Sequence, residues 1–432
     1  MKLLPFVLTS LFFALTSHGK EPSYEILSYS GQDLFPSAII STATVDWSAF
    51  EENTDEEEEE SDPEPENAEV GIPVLGDTNA WLGVRLSDVP PGADILVEIS
   101  GDGWLKPSRF RGKAEDAEGK PISGDIEIMP KGVWDYDALG KTREQKPVNL
   151  TAKVTINGKE LTEQSETFVM RSMNDCPFFI IHPSDEGEEN FEDISWSFAA
   201  YVNENHPWID GLLKEALTTA KNADGEPLIN SFDGYQSGDT ENVLKQVFAI
   251  WQVLQRRGIK YSDVSTTVPS KTVVSQVVRF VDETVDAKQA NCVDGSVLMA
   301  SILTKIGLNA YLVMVPGHCF LAFDGDEKGE STIGLETTLL GEDNLTSVEE
   351  LKNVQKQFSD KEIDMEEFNS LVAEEAEASM LTFLNAIEAG NASLEEHAEA
   401  FEEASDPSIQ LISISEWREH GIRPLASGKE RR

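Results

Sequence analysis

Cysteine is scarce in this chain: three residues in 432. That excludes a disulfide framework, and no C-x-x-C or H-x-x-x-H pair is present to hold zinc, so no metal site is expected. Basic charge is short as well, with 34 Lys+Arg against 79 Asp+Glu and a formal net charge of -45. Such a surface repels phosphate backbones and anionic head groups, which excludes nucleic acid as a charge-driven partner. Neither common type of glycine-rich phosphate loop occurs, no internal repeat is visible, and no cofactor is expected. Apolar runs stay short of the roughly 20 residues needed to cross a bilayer. The run at residues 3–16 follows Lys2 and precedes Ser17-His18-Gly19, the pattern of a signal peptide over residues 1–19 cleaved near Gly19. The expectation is an exported protein, periplasmic or secreted, with no membrane insertion after cleavage. An odd number of cysteines there leaves at least one thiol free unless chains are cross-linked.

What is present divides by periodicity into an α+β chain. Residues 20–185 read as a β-rich domain resembling an antiparallel β-sandwich. "EILSYSG" and "PSAIISTATVDWSAF" read as strands, and the acidic run "DEEEEESDPEPE" then marks a disordered loop over residues 51–70. Further on, "AWLGVRL", "ADILVEIS", "DIEIMP", "ETFVMRS" and "PFFII" have strand character. In "VNLTAKVTINGKELT" the apolar residues alternate up to Asn157-Gly158, a preferred hairpin turn. From Trp196 the period becomes helical: Pro207 stands at a first-turn position, and Val243, Val247, Trp251 and Leu254 share a face before Gly258. "KTVVSQVVRFVDETV" reads as a third helix.

The chemistry concentrates in "NCVDGSVLMASILTKIGLNAYLVMVPGHCF", residues 291–320. Val293, Val297, Leu298, Ile302, Leu303 and Ile306, closed by Gly307, describe a helix buried on most sides with Cys292 in its first turn. Free backbone N–H groups and the dipole at such an end favour a thiolate, and Asp294 fixes the helix start. "AYLVMV" is then a buried strand, and Pro316-Gly317 turns the chain into "HCFLAF". Alternation places His318, Phe320 and Ala322 on one face and Cys319, Leu321 and Phe323 on the other. A hairpin centred on Glu327 sets His318 opposite Glu336, with side-chain origins about 5 Å apart. Asp324 shares that face but lies about 20 Å along the strand. Taken singly, Cys292 reads as a buried helix thiol and His318 as a hydrogen-bonded core histidine; only their joint order points to a nucleophile with its base.

That order resembles the transglutaminase-like superfamily, within the papain-like cysteine fold. The G-x-C-x-D pattern corresponds to Ala290-Asn291-Cys292-Val293-Asp294, the G-I-P-A-R type segment to Gly307-Leu308-Asn309-Ala310-Tyr311, H-A-W to His318-Cys319-Phe320 and D-P-T to Glu336-Thr337-Thr338. The match covers about 80 residues. It implies a transglutaminase-like α+β domain over residues 186–432, with a helical insertion at about 345–405. It also implies Cys292 as nucleophile, His318 as base and then acid, and Glu336 as the acid that orients the imidazole. The Cys292 N–H and the side chain of Gln289 are the oxyanion candidates. Within the insertion, residues 363–389 read as one helix ending at Gly390, and Ser393-Leu394-Glu395-Glu396 as the capping box of another; its charge suggests a solvated face. The implied activity is acyl transfer on a peptide or protein substrate, either hydrolysis of a peptide or isopeptide bond or cross-linking. The competing reading is a non-catalytic envelope binding or scaffold protein of the same fold.

Overall fold

The computed structural model describes residues 21–47, 72–183, 189–262, 267–342, 345–361, 363–403, 406 and 408–426. The expected signal peptide and acidic loop lie outside the described residues. Helices and several sheets make the chain α+β. It divides into two compact units: residues 21–29, 72–133 and 149–166, and residues 30–47, 134–148 and 167–426. The division therefore does not fall at residue 185. The strand Asp175–Pro183 pairs with Val273–Val277, and Ser37 Oγ donates to the Asp175 carbonyl at 2.6 Å, so both segments belong with the second unit.

In the first unit, Ser23–Ser28, Leu82–Val89 and Gly124–Met129 pair antiparallel, and Val74–Gly76 joins the last of them in parallel, a departure from the expected all-antiparallel pattern. A second set pairs residues 150–156 with Asp94–Gly101 and that strand with Leu105–Lys113. Alternation decides which side chains are buried: Leu150, Ala152, Val154 and Ile156 are enclosed while Lys153 between them is exposed. Asn157 and Gly158 both take positive φ, 50° and 78°, which returns the chain so that Lys159 pairs with Ile156.

The second unit is built around the helix Cys292–Lys305. Every residue from Val293 to Leu303 is buried, which the all-round apolar sequence requires. Beside it lies a four-stranded antiparallel sheet in the order Thr332–Leu335, His318–Asp324, Ala310–Val315, Gln410–Ser413. Helices Pro207–Thr219 and Thr240–Arg256 begin and end near the expected positions, with Pro207 in the first turn of one and Gly258 at φ 76° after the other. The strand Val273–Val277 belongs to a second sheet, between Asp175–Pro183 and Thr267–Pro269.

Several local expectations are corrected. "PSAIIS" is a helix, Pro36–Ser41, because Pro36 has the φ a first turn needs, and all of its residues but Ile40 are buried. The first half of "KTVVSQVVRFVDETV" is the strand Val273–Val277, whose β-branched residues suit a sheet, and only Val281–Ala287 is helical. Residues 363–389 are not one helix: Met365–Ser370 ends where Val372 bridges to Asn222 and the Ala373 N–H donates to the Lys221 carbonyl. The chain then re-enters a helix at Glu377–Glu396. Gly390 and the expected capping box at Ser393 fall inside that helix. Nor is this helix solvated all round, since Met380, Phe383, Leu384, Ala386 and Ile387 are buried in the main core.

Gly390 serves contact rather than termination. A Cβ there would stand 2.4 Å from the Gly334 carbonyl carbon, and one on Gly334 would stand 2.3 Å from that of Gly390. Two glycines thus let helix backbone touch strand backbone. The free edge of Thr332–Leu335 is covered in the process: the Gly334 N–H donates to Asn391 Oδ1 at 2.8 Å, and the Glu336 N–H to the Ala386 carbonyl at 2.9 Å.

Candidate active site

Cys292 is held at the first turn of its helix by a reciprocal cap. The Asp294 N–H donates to Asn291 Oδ1 at 2.8 Å, and the Asn291 N–H to Asp294 Oδ2 at 3.3 Å. Asp294 also accepts from the Arg279 N–H and guanidinium, each at 2.8 Å. Burial pushes its carboxyl up, and the Arg279 contacts act in the opposite direction. This carboxylate is fully engaged in structure, the helix-start role read from its position. The first-turn N–H groups of Cys292 and Val293 have no partner within the helix.

His318 opens its strand because Pro316-Gly317 forms a two-residue turn, with Val315 paired to His318. Gly317 has φ 75°, the conformation such a turn demands after proline. Strand alternation does the sorting described above: Cys319, Leu321 and Phe323 enter the main core, while Phe320 and Ala322 join a smaller cluster with Val313 and Val315. The Phe320 ring stacks beside the imidazole, with centroids 6.2 Å apart and planes at 18°.

The register of the next strand differs from expectation. Leu321 pairs with Leu335 and Asp324 with Thr332, so the hairpin is centred on Lys328 rather than Glu327. Glu336 then falls two residues along from His318 on the same face, a diagonal position that long side chains still reach. It does reach: His318 Nε2 and Glu336 Oε2 are 2.6 Å apart. The strand ends at Leu335, and Glu336 caps the short 3-10 turn Thr337–Leu339. Its other oxygen accepts from the Thr338 N–H at 2.9 Å and the Thr338 hydroxyl at 2.7 Å. With the backbone bond to Ala386, the carboxylate has little freedom to leave the imidazole.

The imidazole is pushed up to about 10, first by its hydrogen bond to the Cys292 side chain and then by Glu336, against the opposing effect of burial. Since Nε2 is taken by Glu336, the remaining ring nitrogen is the one left for Cys292. A further link ties the first turn of the helix to the end of the third strand: Ser296 Oγ donates to the Cys292 carbonyl at 2.8 Å and lies 3.2 Å from Thr337 Oγ1. Cys292, His318 and Glu336 are therefore brought together from a helix end, a strand start and a strand end.

The thiol and imidazole line a cleft of about 300 Å³. Gln289 does not line it; it lies in the short strand Gln289–Ala290 beside Lys260–Tyr261, with its carbonyl turned to Arg279. Gln276 does line it, as do Asn291 and Ser195. Sequence reasoning misses Gln276 because "VVSQVV" reads as helix, in which its face is undefined. As a strand, Val274 and Gln276 share the half-exposed side. All three cysteines are free, with Cys176 and Cys319 buried and Cys292 partly exposed. Burial pushes the Cys176 and Cys319 thiols up. Among the described residues no group of three or more His, Cys, Asp or Glu side chains is placed to hold a metal ion, and no helix is long and apolar enough to cross a membrane.

Comparison of the chain with protein-family models, with curated proteins and with solved structures finds no match.

Proposed function

We propose that this chain is a cysteine-dependent acyl-transfer enzyme of transglutaminase-like type, exported by the signal read at residues 1–19 and acting on a peptide or protein. The observation that carries the reading is the imidazole of His318, bonded to Glu336 at 2.6 Å and lining, together with Cys292, one open cleft. A core histidine needs one partner; this one has an acid behind it and a helix-end thiol in front.

In the proposed reaction His318, kept charged by its raised midpoint, already holds the Cys292 proton, and the sulfur attacks the acyl carbon. The developing oxyanion is met by the Cys292 N–H and by Gln276, which replaces Gln289 as the second donor. His318 then gives its proton to the leaving amine as the C–N bond breaks, and a thioester remains. Water or an incoming amine attacks next, loses its proton to His318 and displaces the sulfur as thiolate, which restores the starting charge state. Glu336 holds one ring orientation throughout, and the imidazolium that forms is stabilised by its charge.

Residue-resolved labelling by iodoacetamide near pH 6 tests this. Cys292 is expected to react faster than an ordinary thiol and to lose that advantage in His318→Ala. Labelling of Cys292 at the ordinary rate, or at the same rate in the variant, sinks the catalytic reading.

A further inference from the structure

The cleft beside Cys292 has walls of two kinds. Asn291, Gln276 and Ser195 supply hydrogen-bonding groups, whereas Phe178, Phe179 and Met314 supply an apolar surface. Adjacent strand residues normally point to opposite faces, so two consecutive phenylalanines on one cleft need explanation. The pairing with Val273–Val277 passes from Pro177–Ser275 to Phe179–Val274, leaving Phe178 as an extra residue. Pro177 has no N–H to donate, and the bulge here re-aims the side chains that follow. The result is fixed in place: the Phe178 ring lies 5.1 Å from that of Phe179 and 5.6 Å from that of Phe198, which is fully buried. Met314, unbranched and flexible, completes the surface from the strand Ala310–Val315.

Among the described residues Asp, Glu, Lys and Arg are absent from both walls of the cleft, although the chain has a formal net charge of -45. A charged substrate side chain seated against the Phe178, Phe179 and Met314 surface loses water and finds no Asp, Glu, Lys or Arg to pair with. Resting on the acyl-transfer reading above, we propose that the site takes a peptide whose residue next to the scissile carbonyl is large and apolar, seated against Phe178, Phe179 and Met314. This selects against acidic and basic residues at that position. It also selects against the glutamine carboxamide that a cross-linking enzyme would need as acyl donor, because an apolar wall leaves that amide unpaired. Hydrolysis after an apolar residue is thus the favoured outcome.

The test uses the full-length protein and peptidyl vinyl sulfones, Ac-Gly-Xaa-vinyl sulfone with Xaa as Phe, Leu, Gln, Asp or Lys, alongside iodoacetamide. Labelling of Cys292 is followed by mass spectrometry. The Phe and Leu probes are expected to react at least about tenfold faster than the Gln, Asp and Lys probes. In Phe179→Ala that ratio is expected to shrink. Equal rates across the five probes, or a Gln, Asp or Lys probe reacting fastest, overturn the proposal while leaving activated Cys292 in place. An ordinary iodoacetamide rate in the native protein strikes instead at the underlying catalytic reading, which separates the two failures.

Discussion

Glu336→Gln isolates the charge of the orienting acid from its shape. The glutamine has the same length, and its carbonyl oxygen still accepts from the Thr338 N–H and hydroxyl that now hold Oε1 at 2.9 and 2.7 Å. What disappears is the negative partner 2.6 Å from His318 Nε2. A hydrogen bond to a charged group contributes about 1.5–3 kcal/mol, and moving a titration midpoint by one pH step takes about 1.4 kcal/mol, so full loss of the bond lowers the midpoint by about 1–2 on the pH scale. The His318 side chain is 33% exposed, so screening by water places the drop at the lower end, about 1. The imidazole midpoint, raised to about 10 in the native protein, should fall accordingly in an NMR titration of its ring protons. The sign for stability follows from a raised histidine. Its contribution is complete below the unfolded value of 6.5 and is lost as pH rises through about 10. Glu336→Gln should therefore cost about 1 kcal/mol in urea unfolding at pH 6, and the difference from the native protein should vanish above pH 10. A midpoint that does not move, or a stability difference that persists unchanged above that pH, refutes the assignment of Glu336 as the partner that holds a charged His318.

Gln276→Ala should lower the rate of acyl transfer about 100-fold with a smaller effect on KM, while Gln289→Ala should leave both unchanged; steady-state kinetics on a peptide ester separate them. Gly390→Ala inserts a Cβ 2.4 Å from backbone that cannot yield, so it should destabilise by about 1–3 kcal/mol and slow Cys292 labelling, because Glu336 hangs from the same helix through Ala386. Asn291→Ala removes the cap on the helix Cys292–Lys305 and should cost about 1 kcal/mol, read from the urea midpoint. Arg279→Ala leaves the buried Asp294 carboxylate without its cation, for a loss of about 3 kcal/mol by the same measure; a loss below that of the Asn291 variant contradicts the ion-pair account.

The parts of the site written in local chemistry are legible in the sequence. A helix apolar on most sides, a proline-glycine turn and an alternating strand give Cys292 and His318 their positions, because each depends on residues within a few places of it. The register of the third strand is not legible to one step. It is closed by the Gly325 N–H bonding to the Ser331 carbonyl at 2.7 Å, a choice made by the loop backbone rather than by apolar pattern. Glu336 still meets His318 because moving the hairpin centre by one residue moves pairing by two and preserves the face. Contacts distant in sequence stay hidden. The break near Val372 comes from Asn222 and Lys221, and the role of Gly390 from Gly334, so helical periodicity alone runs through both. Gln276 escapes for a related reason, since a short β-branched run is ambiguous between helix and strand until its pairing partner is known.

The proposed function rests on Cys292 accepting an acyl group with the help of His318. Intact-mass analysis of the native protein exposed to N-acetyl-phenylalanine p-nitrophenyl ester, with peptide mapping of the adduct, tests it most directly. A transient acyl adduct on Cys292 is expected, absent in Cys292→Ser and far slower to form in His318→Ala. No adduct on Cys292, or one that forms equally fast without His318, contradicts it.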